Sequence, residues 1–278
     1  MSIDETSRLA REESFHDQWA AAENPASINV AHINEAATSP ELRFIHTTLG
    51  DISGKRILDV GCGKGEVAVY FAQRGAKVTA LDISSEMLRF TQQLAALNNT
   101  TVEIKHAPAE NMLAAFSPAE FGSYDVLYVG NLLHHVDIEK TLPQLLQLLK
   151  PDGTFTSWDP VAYNPIINVY RKIAMGVRTI DEHPLNKKNV AYIKSKFQHS
   201  TVQFYWLTTL VVFLFMTFVL FRNPNKIRFW KVVIDESKRW EFIYNPLAVV
   251  DRLLIKLIPP LRWLCWNVVI IGKGIKSS

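Results

Sequence analysis

Residues 57–82, ILDVGCGKGEVAVYFAQRGAKVTALD, decide the fold, because a strand, a glycine-rich turn, a helix and a second strand follow one another there without interruption. The opening ILDV predicts a buried parallel strand, and the alternating glycines let the backbone turn sharply and approach a ligand closely. The second strand ends at Asp82, where a carboxylate can accept hydrogen bonds from ribose hydroxyls. The stretch therefore predicts half of a nucleotide-binding site.

The spacing of the glycines excludes two common phosphate-binding loops. The ATP-type loop requires GxxxxGK[ST], whereas Lys64 is followed here by another glycine. The dinucleotide fingerprint requires its third glycine three residues after the second, at the position that Glu66 occupies. The spacing is instead D-x-G-x-G-x-G, formed by Asp59, Gly61, Gly63 and Gly65.

DVGCGKG followed by LDIS resembles the glycine loop and acidic loop of class I S-adenosylmethionine-dependent methyltransferases. Three later segments, in the same order as in that family, extend the resemblance over about a hundred residues. They are AENM at 109–112, SYDVLYVGNLLHHV at 123–136 and LLKPDGTFTSWDP at 148–160. The resemblance implies S-adenosylmethionine as the cofactor and methyl transfer as the reaction.

The resemblance also assigns cofactor-binding roles to individual residues. Asp59 and Gly61 are expected beside the methionine moiety, Asp82 at the ribose and Ile83 on the adenine. Residues 109–110 are expected to border the edge of the adenine. The predicted cofactor residues are Asp59, Gly61, Gly63, Gly65, Asp82, Ile83, Ala109, Glu110 and Asn131.

We predict an α/β fold, a doubly wound, mostly parallel seven-stranded Rossmann-like sheet with an apolar helical insertion between the last two strands. Residues 201–206 and 266–274 occupy the positions of those two strands in the family order, where they form an antiparallel pair. The predicted domains are an N-terminal helical lid at 1–50, a methyltransferase domain at 51–206 and 263–278, and a membrane-associating insertion at 207–262.

The lid is predicted to begin with a helix over residues 6–22 and to continue as a loop over 23–40. Phe15 and His16 fall on one face of that helix with Trp19. In similar methyltransferases such a helix covers the cofactor, so Phe15 and His16 are candidate substrate contacts. The alternative is that the aromatic side chains only dock the helix.

Charge is distributed unevenly along the 278 residues. Residues 1–161 carry 12 Lys and Arg against 21 Asp and Glu, which gives −9, and residues 162–278 carry 18 against 6, which gives +12. Basic residues interleaved with large apolar ones favour an anionic lipid surface over nucleic acid as the partner. A solvated basic face without a partner is the alternative.

The basic half also contains the most apolar segment, 204–221, which has no charge for 18 positions. That length is near the lower limit for spanning a bilayer. Since both ends of the insertion return to one sheet, we predict a re-entrant or monotopic association instead of a single crossing. An amphipathic stripe supports it, and aromatic residues suit a membrane boundary. The stripe is Val250, Leu253, Leu254, Leu257, Ile258 and Leu261, and the aromatic residues are Trp230, Trp240, Tyr244 and Trp263.

The cysteine content and the N-terminus bear on compartment. Only Cys62 and Cys265 occur, which gives no disulfide framework and no metal spacing. The charged N-terminus lacks the apolar core of a signal peptide. We therefore expect the protein on the cytoplasmic side of a membrane. We also expect no metal site, because the adjacent Asp181, Glu182 and His183 would point to alternate sides of an extended backbone.

Methyl transfer from a sulfonium requires alignment of the acceptor and removal of its proton. His135 and His134, which follow the fourth strand, are the candidate bases, in that order, and Asp159 at the end of the fifth strand is a third. Imidazole titrates near the working pH, although either histidine could instead be a packed core residue. Candidate acceptor contacts beside Phe15 and His16 are Tyr163, Arg178 and His183.

The leading hypothesis is a membrane-associated methyltransferase for an amphipathic acceptor, such as a fatty acid, quinone, isoprenoid or lipid-linked head group. One alternative keeps the enzyme class but makes the insertion a protein interface and the acceptor a soluble metabolite. Another is a non-catalytic, cofactor-binding membrane adaptor. The oligomeric state and the methylated atom stay open at this stage.

Overall fold

The computed structural model describes residues 3–173 and 182–276. Over this part of the chain, seven strands form one sheet in the order β3-β2-β1-β4-β5-β7-β6. Strands β1 to β5 pair in parallel, whereas β7 lies antiparallel between β5 and β6. The strands are β1 Arg56–Val60, β2 Lys77–Asp82, β3 Glu103–His106, β4 Tyr124–Gly130, β5 Leu149–Pro160, β6 Phe197–Tyr205 and β7 Asn267–Ile275.

This topology confirms the predicted Rossmann-like fold. The order reverses between β1 and β4, and the ligand crevice of an open α/β sheet lies outside the carboxyl ends of the strands at such a switch point. The glycine loop follows β1, the histidine pair follows β4, and Asp159 lies near the end of β5. The topology therefore brings three distant sequence segments to one edge.

Helices cover both faces of the sheet, so the strands are buried on both sides as their continuous apolar runs require. The described helices are α1 Ile3–Ala21, α2 Val30–Glu35, α3 Pro40–Leu49, α4 Glu66–Gln73, α5 Ser85–Leu97, α6 Ile138–Leu148, α7 Pro165–Ile173, α8 Lys187–Ser195, α9 Val211–Phe218, α10 Phe229–Asp235 and α11 Ser237–Leu257.

The segment between β6 and β7 folds around a core of its own. Trp206, Phe213, Phe229 and Trp240 are buried together in this cluster. Asp251 ties the long helix α11 to the start of the segment, because its carboxylate accepts hydrogen bonds from the backbone N–H groups of residues 207 and 208 at 3.0 and 2.7 Å. From here on, the insertion means residues 206–266, the whole segment between β6 and β7, which includes the predicted range 207–262.

One prediction of local structure was wrong. The interval 23–40, expected to be a loop, contains helix α2, whose first turn Asn29 caps by accepting a hydrogen bond from the backbone N–H of His32. The uncharged run 204–221 is divided between β6, a 3₁₀ turn and α9. Among the described helices, none combines the length and apolar character needed to cross a bilayer.

Candidate active site

The glycine loop between β1 and α4 has a left-handed backbone at all three glycines. The φ angles of Gly61, Gly63 and Gly65 are +71°, +53° and +77°. A Cβ on Gly65 would lie 2.5 Å from the Thr91 side chain, so this glycine allows α4 to pack closely on α5. A Cβ on Gly63 would meet no atom within 4 Å. Gly63 therefore faces open space, as a loop that admits a ligand must.

Asp82, at the end of β2, organises this loop. Its carboxylate accepts hydrogen bonds from the backbone N–H groups of Gly63 and Ser84, each at 2.9 Å. Burial raises the pKa of Asp82, while the charge of His16 and these backbone hydrogen bonds oppose the increase. Each carboxylate oxygen keeps a second lone pair, so Asp82 can also accept hydrogen bonds from vicinal hydroxyls of a ribose.

Asp59, at the carboxyl half of β1, is 1% exposed, and neither of its carboxylate oxygens has a hydrogen-bond partner among the described residues. Burial, followed by the charges of Asp82 and Glu66, raises its pKa well above the usual range, and the nearby backbone N–H of Ala68, which does not meet the geometry of a full hydrogen bond, opposes the increase only in small part. A buried carboxylate without partners is costly, and a cationic ligand group relieves that cost. The ammonium of a bound S-adenosylmethionine is such a group, so the buried Asp59 carboxylate fits this cofactor.

The opposite end of the predicted cofactor site is held rigidly. The Glu110 carboxylate accepts hydrogen bonds from the Arg8 guanidinium and, at 2.7 Å, from the Asp137 backbone N–H. The carbonyl of Ile83 lies 2.6 Å from His106 Nε2. Asn131, with a φ of +57°, donates its backbone N–H to the Trp158 carbonyl at 2.7 Å. These contacts fix the walls between which the adenine is expected.

The histidine pair after β4 divides into two environments. His134 is 3% exposed, and its Nδ1 lies 2.9 Å from the Asp159 carboxylate, which also accepts the His134 backbone N–H at 3.2 Å. Burial raises the pKa of Asp159, with the backbone N–H groups of residues 133 and 134 opposing it. With Nδ1 directed to Asp159, Nε2 is the nitrogen of His134 that can accept a proton.

His135 faces the lid instead. Its Nδ1 lies 3.4 Å from a carboxylate oxygen of Glu12 on α1, and its ring centre lies 6.3 Å from that of His16. The Arg8 guanidinium donates to the His135 carbonyl at 2.7 Å. His135 is therefore a contact between the lid helix and the end of β4.

A cavity of about 320 Å³ joins the glycine loop to the histidine pair. Both histidines and α1 residues such as Glu12 line it, so the lid helix forms part of its wall. Much of the remaining wall is aromatic. The aromatic lining residues are Phe15, His16, Trp19, Tyr128, Trp158, Tyr170, Trp230 and Trp266.

The structure brings most of the predicted cofactor residues to this cavity. Gly65 is the exception, because it packs on Thr91 beneath the loop. The remaining predicted cofactor residues all line the cavity: Asp59, Gly61, Gly63, Asp82, Ile83, Ala109, Glu110 and Asn131.

Several other predicted site residues lie elsewhere. Asp159 is fully buried behind His134 and does not line the cavity, so it is placed to orient the imidazole and not to touch an acceptor. Tyr163 packs edge-on against Trp263 at 5.8 Å, outside the cavity. His183 is exposed, and its backbone N–H donates to the His134 carbonyl at 2.6 Å. Arg178 lies outside the described residues.

The insertion supplies a part of the cavity wall that the sequence did not indicate. Arg228, Trp230 and Ile234 line it, although their segment was assigned to the membrane boundary. Trp240 and Tyr244, assigned to the same boundary, are 2% and 3% exposed in the insertion core. An aromatic residue suits a core, a membrane boundary and a ligand wall equally, so no local signal separates these environments.

One group of potential metal ligands lies at the histidine end of the cavity. Ligand atoms of His134, His135 and Glu182 lie within 4.8 Å of one another. Zinc ligands at about 2.1 Å from the ion in a tetrahedral shell lie roughly 3.4 Å apart, so a shell would need closer convergence. No step is assigned to a metal here.

Two comparisons by sequence agree with this geometry. The family described as "Methyltransferase domain" matches residues 57–153. A ubiquinone biosynthesis O-methyltransferase of Leptothrix cholodnii is 39% identical over 115 residues, which cover 40% of this chain and 47% of that protein. The same-named protein of Haemophilus ducreyi is 33% identical over 111 residues, 40% and 47% of the two chains. The chain spans about half the length of these curated relatives.

The fold is also that of solved methyltransferases. A geranyl diphosphate C-methyltransferase from Streptomyces coelicolor, solved with Mg²⁺, geranyl diphosphate and S-adenosyl-L-homocysteine, has a TM-score of 0.56 at 15% identity, over 84% of this chain and 78% of that one. Phosphoethanolamine N-methyltransferase 2 from Haemonchus contortus has a TM-score of 0.56 at 16% identity, over 86% and 52%. At these identities the similarity establishes the fold.

Proposed function

Because residues 57–153 belong to the class I S-adenosylmethionine-dependent methyltransferases, we propose that the chain methylates an amphipathic acceptor, a prenylated phenol or quinol, at the surface of a membrane. The membership confirms the family and methyl donor predicted from the glycine loop. The observation that carries the proposal is the shared cavity. Its polar end holds the cofactor residues and histidine pair, and its apolar end is built by the insertion.

The chemistry requires a base for the acceptor hydroxyl. When S-adenosylmethionine is bound it supplies an electrophilic methyl group. Asp159 orients the His134 ring through Nδ1 at 2.9 Å, and Nε2 is the proposed acceptor of the proton as the acceptor oxygen attacks the methyl. His134 thus precedes His135 as the proposed base, the reverse of the order expected from the sequence. His135, bound to the lid through Glu12, is assigned to closing the site.

An acceptor with an apolar body fits the distal wall. Tyr170 of α7 lines the cavity together with Trp230 and Trp266 of the insertion. Aromatic side chains bury large apolar areas, and each buried CH₂ of a ligand contributes about 0.8 kcal/mol. A prenyl tail therefore gains affinity that a small soluble phenol does not. The quinone-pathway names of the sequence relatives are consistent with this class.

The insertion exposes an apolar surface. Twelve of the 17 exposed large apolar side chains among the described residues lie between β6 and β7. Phe218, Leu253 and Leu257 are 71%, 54% and 75% exposed. On α11 the exposed residues 242, 249, 253 and 257 recur at the spacing of one helical face. We call the exposed apolar residues of α9 and α11 the apolar stripe.

A lipid surface suits the apolar stripe better than water does. Exposed cationic side chains, including Arg252 and Lys256, accompany the stripe on α11, and basic residues beside apolar ones match an anionic bilayer surface. Because the insertion starts and ends at adjacent strands of one sheet, a monotopic attachment leaves the catalytic domain on a single side. We propose the cytoplasmic side.

The enzymatic part is tested by acceptor length. Methyl transfer from radiolabelled S-adenosylmethionine should be faster, in kcat/KM, to a farnesylated catechol in detergent micelles than to catechol itself. Equal rates for both acceptors would favour the soluble-metabolite alternative. No transfer to any phenol or quinol, with S-adenosylmethionine binding intact, would favour the non-catalytic adaptor.

The membrane part is tested by vesicle sedimentation. A triple variant, Phe242→Ser, Leu253→Ser and Leu257→Ser, should lose binding to phosphatidylglycerol-containing vesicles. The matched control is Leu97→Ser on α5, an exposed leucine (57%) outside the insertion, which should sediment as the wild type does. If wild-type protein does not sediment with vesicles, membrane association is wrong and the stripe is assigned to a protein partner.

A further inference from the structure

Helix α10 lies between the insertion core and the N-terminal lid. Phe229 and Val233 on one side of α10 are 0% and 1% exposed in the insertion core. The C-terminal end of α10 contacts the lid segment. Thr38 Oγ1 donates to the Val233 carbonyl at 2.8 Å, and His32 Nε2 lies 2.7 Å from the Ile234 carbonyl. The helix is therefore packed into both units at once.

One carboxylate that pairs with two lysines, the Glu23 ion pair, joins the insertion and the lid to the glycine loop. Glu23, just after α1, accepts hydrogen bonds from Lys64 of the glycine loop at 2.8 Å and from Lys231 of α10 at 2.7 Å. Lys64 is 3% exposed and also lies 3.0 Å from Glu66. Burial by itself raises the pKa of Glu23, but the hydrogen bonds from Lys231 and Lys64 outweigh it and lower the pKa to about 2.

An aromatic contact runs beside the ion pair. The Arg228 guanidinium lies 3.6 Å from the centre of the Trp19 ring, and Trp230 meets Trp19 edge-on at 6.3 Å. Trp19 also donates its Nε1–H to Glu23 at 2.8 Å. A guanidinium over the face of an indole ring is attracted by the negative charge of that face. The end of α1 is thus held by the insertion and by the glycine loop together.

The position of α1 determines whether the cavity is covered. Arg8, Glu12 and His16 of α1 line the cavity. Ser84, two residues after Asp82, donates its hydroxyl to the Asp17 carboxylate of α1 at 2.6 Å. Arg8 and Asp17 hold α1 against the loops around the cavity through their side chains, so displacement of this helix would open the cavity. A restraint on α1 therefore changes the affinity for the cofactor.

We propose that attachment of the insertion to an anionic membrane seats α1 over the cofactor site through α10, so that membrane binding and S-adenosylmethionine binding strengthen each other. This inference rests on the proposed membrane association. Because coupling between two binding sites is reciprocal, the cofactor should also increase the affinity for vesicles by the same factor. The bistable element is the lid helix, and the Glu23 ion pair is the connection.

The test measures S-adenosylmethionine affinity of the full chain by calorimetry, with and without vesicles of phosphatidylcholine and phosphatidylglycerol at 3:1. Wild-type affinity should increase about fivefold or more with vesicles, the lower end of typical couplings. Lys231→Met should lose the increase. Lys226→Met, which removes the same charge from an exposed position in the insertion, should keep it.

Sedimentation of the same samples separates the possible failures. If wild-type protein binds vesicles but its cofactor affinity does not change, the coupling is wrong and membrane association stands. If Lys231→Met responds like Lys226→Met, α10 is not the connection, and this proposal is overturned. If no protein sediments, both proposals are wrong.

A second measurement does not depend on a variant that folds. Vesicles should slow amide hydrogen exchange in α1 of the wild-type protein, because a seated helix opens less often. The amides of α8, which lies outside the insertion and the lid, provide the internal control. Equal protection of α1 with and without vesicles would overturn the proposal.

Discussion

Alanine substitutions at two glycines of the same loop should affect different properties, cofactor affinity at Gly63 and chiefly stability at Gly65. Gly63 and Gly65 share a left-handed backbone, so an added Cβ costs roughly 1 to 2 kcal/mol at either position. At Gly65 the Cβ would also lie 2.5 Å from Thr91, which adds about 1 to 3 kcal/mol of overpacking. At Gly63 nothing lies within 4 Å, so the Cβ projects into space that we assign to the cofactor.

Gly63→Ala should therefore lower Tm by only about 2 to 8 °C but weaken S-adenosylmethionine binding about tenfold or more. Gly65→Ala should lower Tm by roughly twice as much or more, at about 2 to 4 °C per kcal/mol. Thermal unfolding without ligand and calorimetric titration of each folded variant separate stability from affinity. Wild-type affinity in Gly63→Ala would refute the placement of the cofactor. A Gly65→Ala variant as stable as Gly63→Ala would refute the packing argument.

Three further outcomes are expected. Asp82→Ala should weaken S-adenosylmethionine binding in calorimetry by about 1 to 3 kcal/mol, since two backbone donors and the ribose lose an acceptor, whereas Asp152→Ala at an exposed position of β5 should not. His134→Ala should lower kcat about 10²-fold while the cofactor Kd stays unchanged; joint loss of both would place His134 in the cofactor pocket instead. Burial raises the pKa of Glu41 to about 7 despite a hydrogen bond from Asn267. The folded state therefore favours protonated Glu41, and this contribution to the free energy of unfolding is fully present below about pH 4.5. The contribution is lost as the pH rises through 7, by about 3 kcal/mol in all. Urea unfolding at pH 5 to 8 should show that loss in the wild type but not in Glu41→Gln, and parallel curves for the two proteins would contradict it.

The cofactor half of the site was predictable because its determinants are local. A glycine loop between a strand and a helix, followed by an acid at the end of the next strand, has its geometry set by a few consecutive residues. Gly61, Gly63 and Asp82 therefore line the cavity as the sequence indicates. Gly65 shows the limit of that reasoning, since its need for a missing Cβ comes from Thr91 on another helix.

The acceptor half was less predictable, because its wall depends on contacts between residues far apart in the chain. His134 and His135 are adjacent, yet one is oriented by Asp159 and the other by Glu12 of the lid. Tyr163 follows β5 in sequence as expected, but it packs against Trp263 and does not line the cavity, and neither does His183. Residue type and position within an element do not specify the partner that packs against it.

The sequence by itself indicated the Rossmann-like sheet and the cofactor class, because the glycine spacing, the position of an acid and the family motifs that carry the resemblance are properties of short segments. Only the tertiary structure decided which apolar residues of the insertion form a core and which face outward. Trp240 is buried and Leu257 is exposed within one helix, although both are large and apolar. Their separation follows from the packing of α11 on α9 and α10. The joining of Glu23, Lys64 and Lys231 arises in the same way, since a charge pairs with whatever the folded chain brings within a few ångströms.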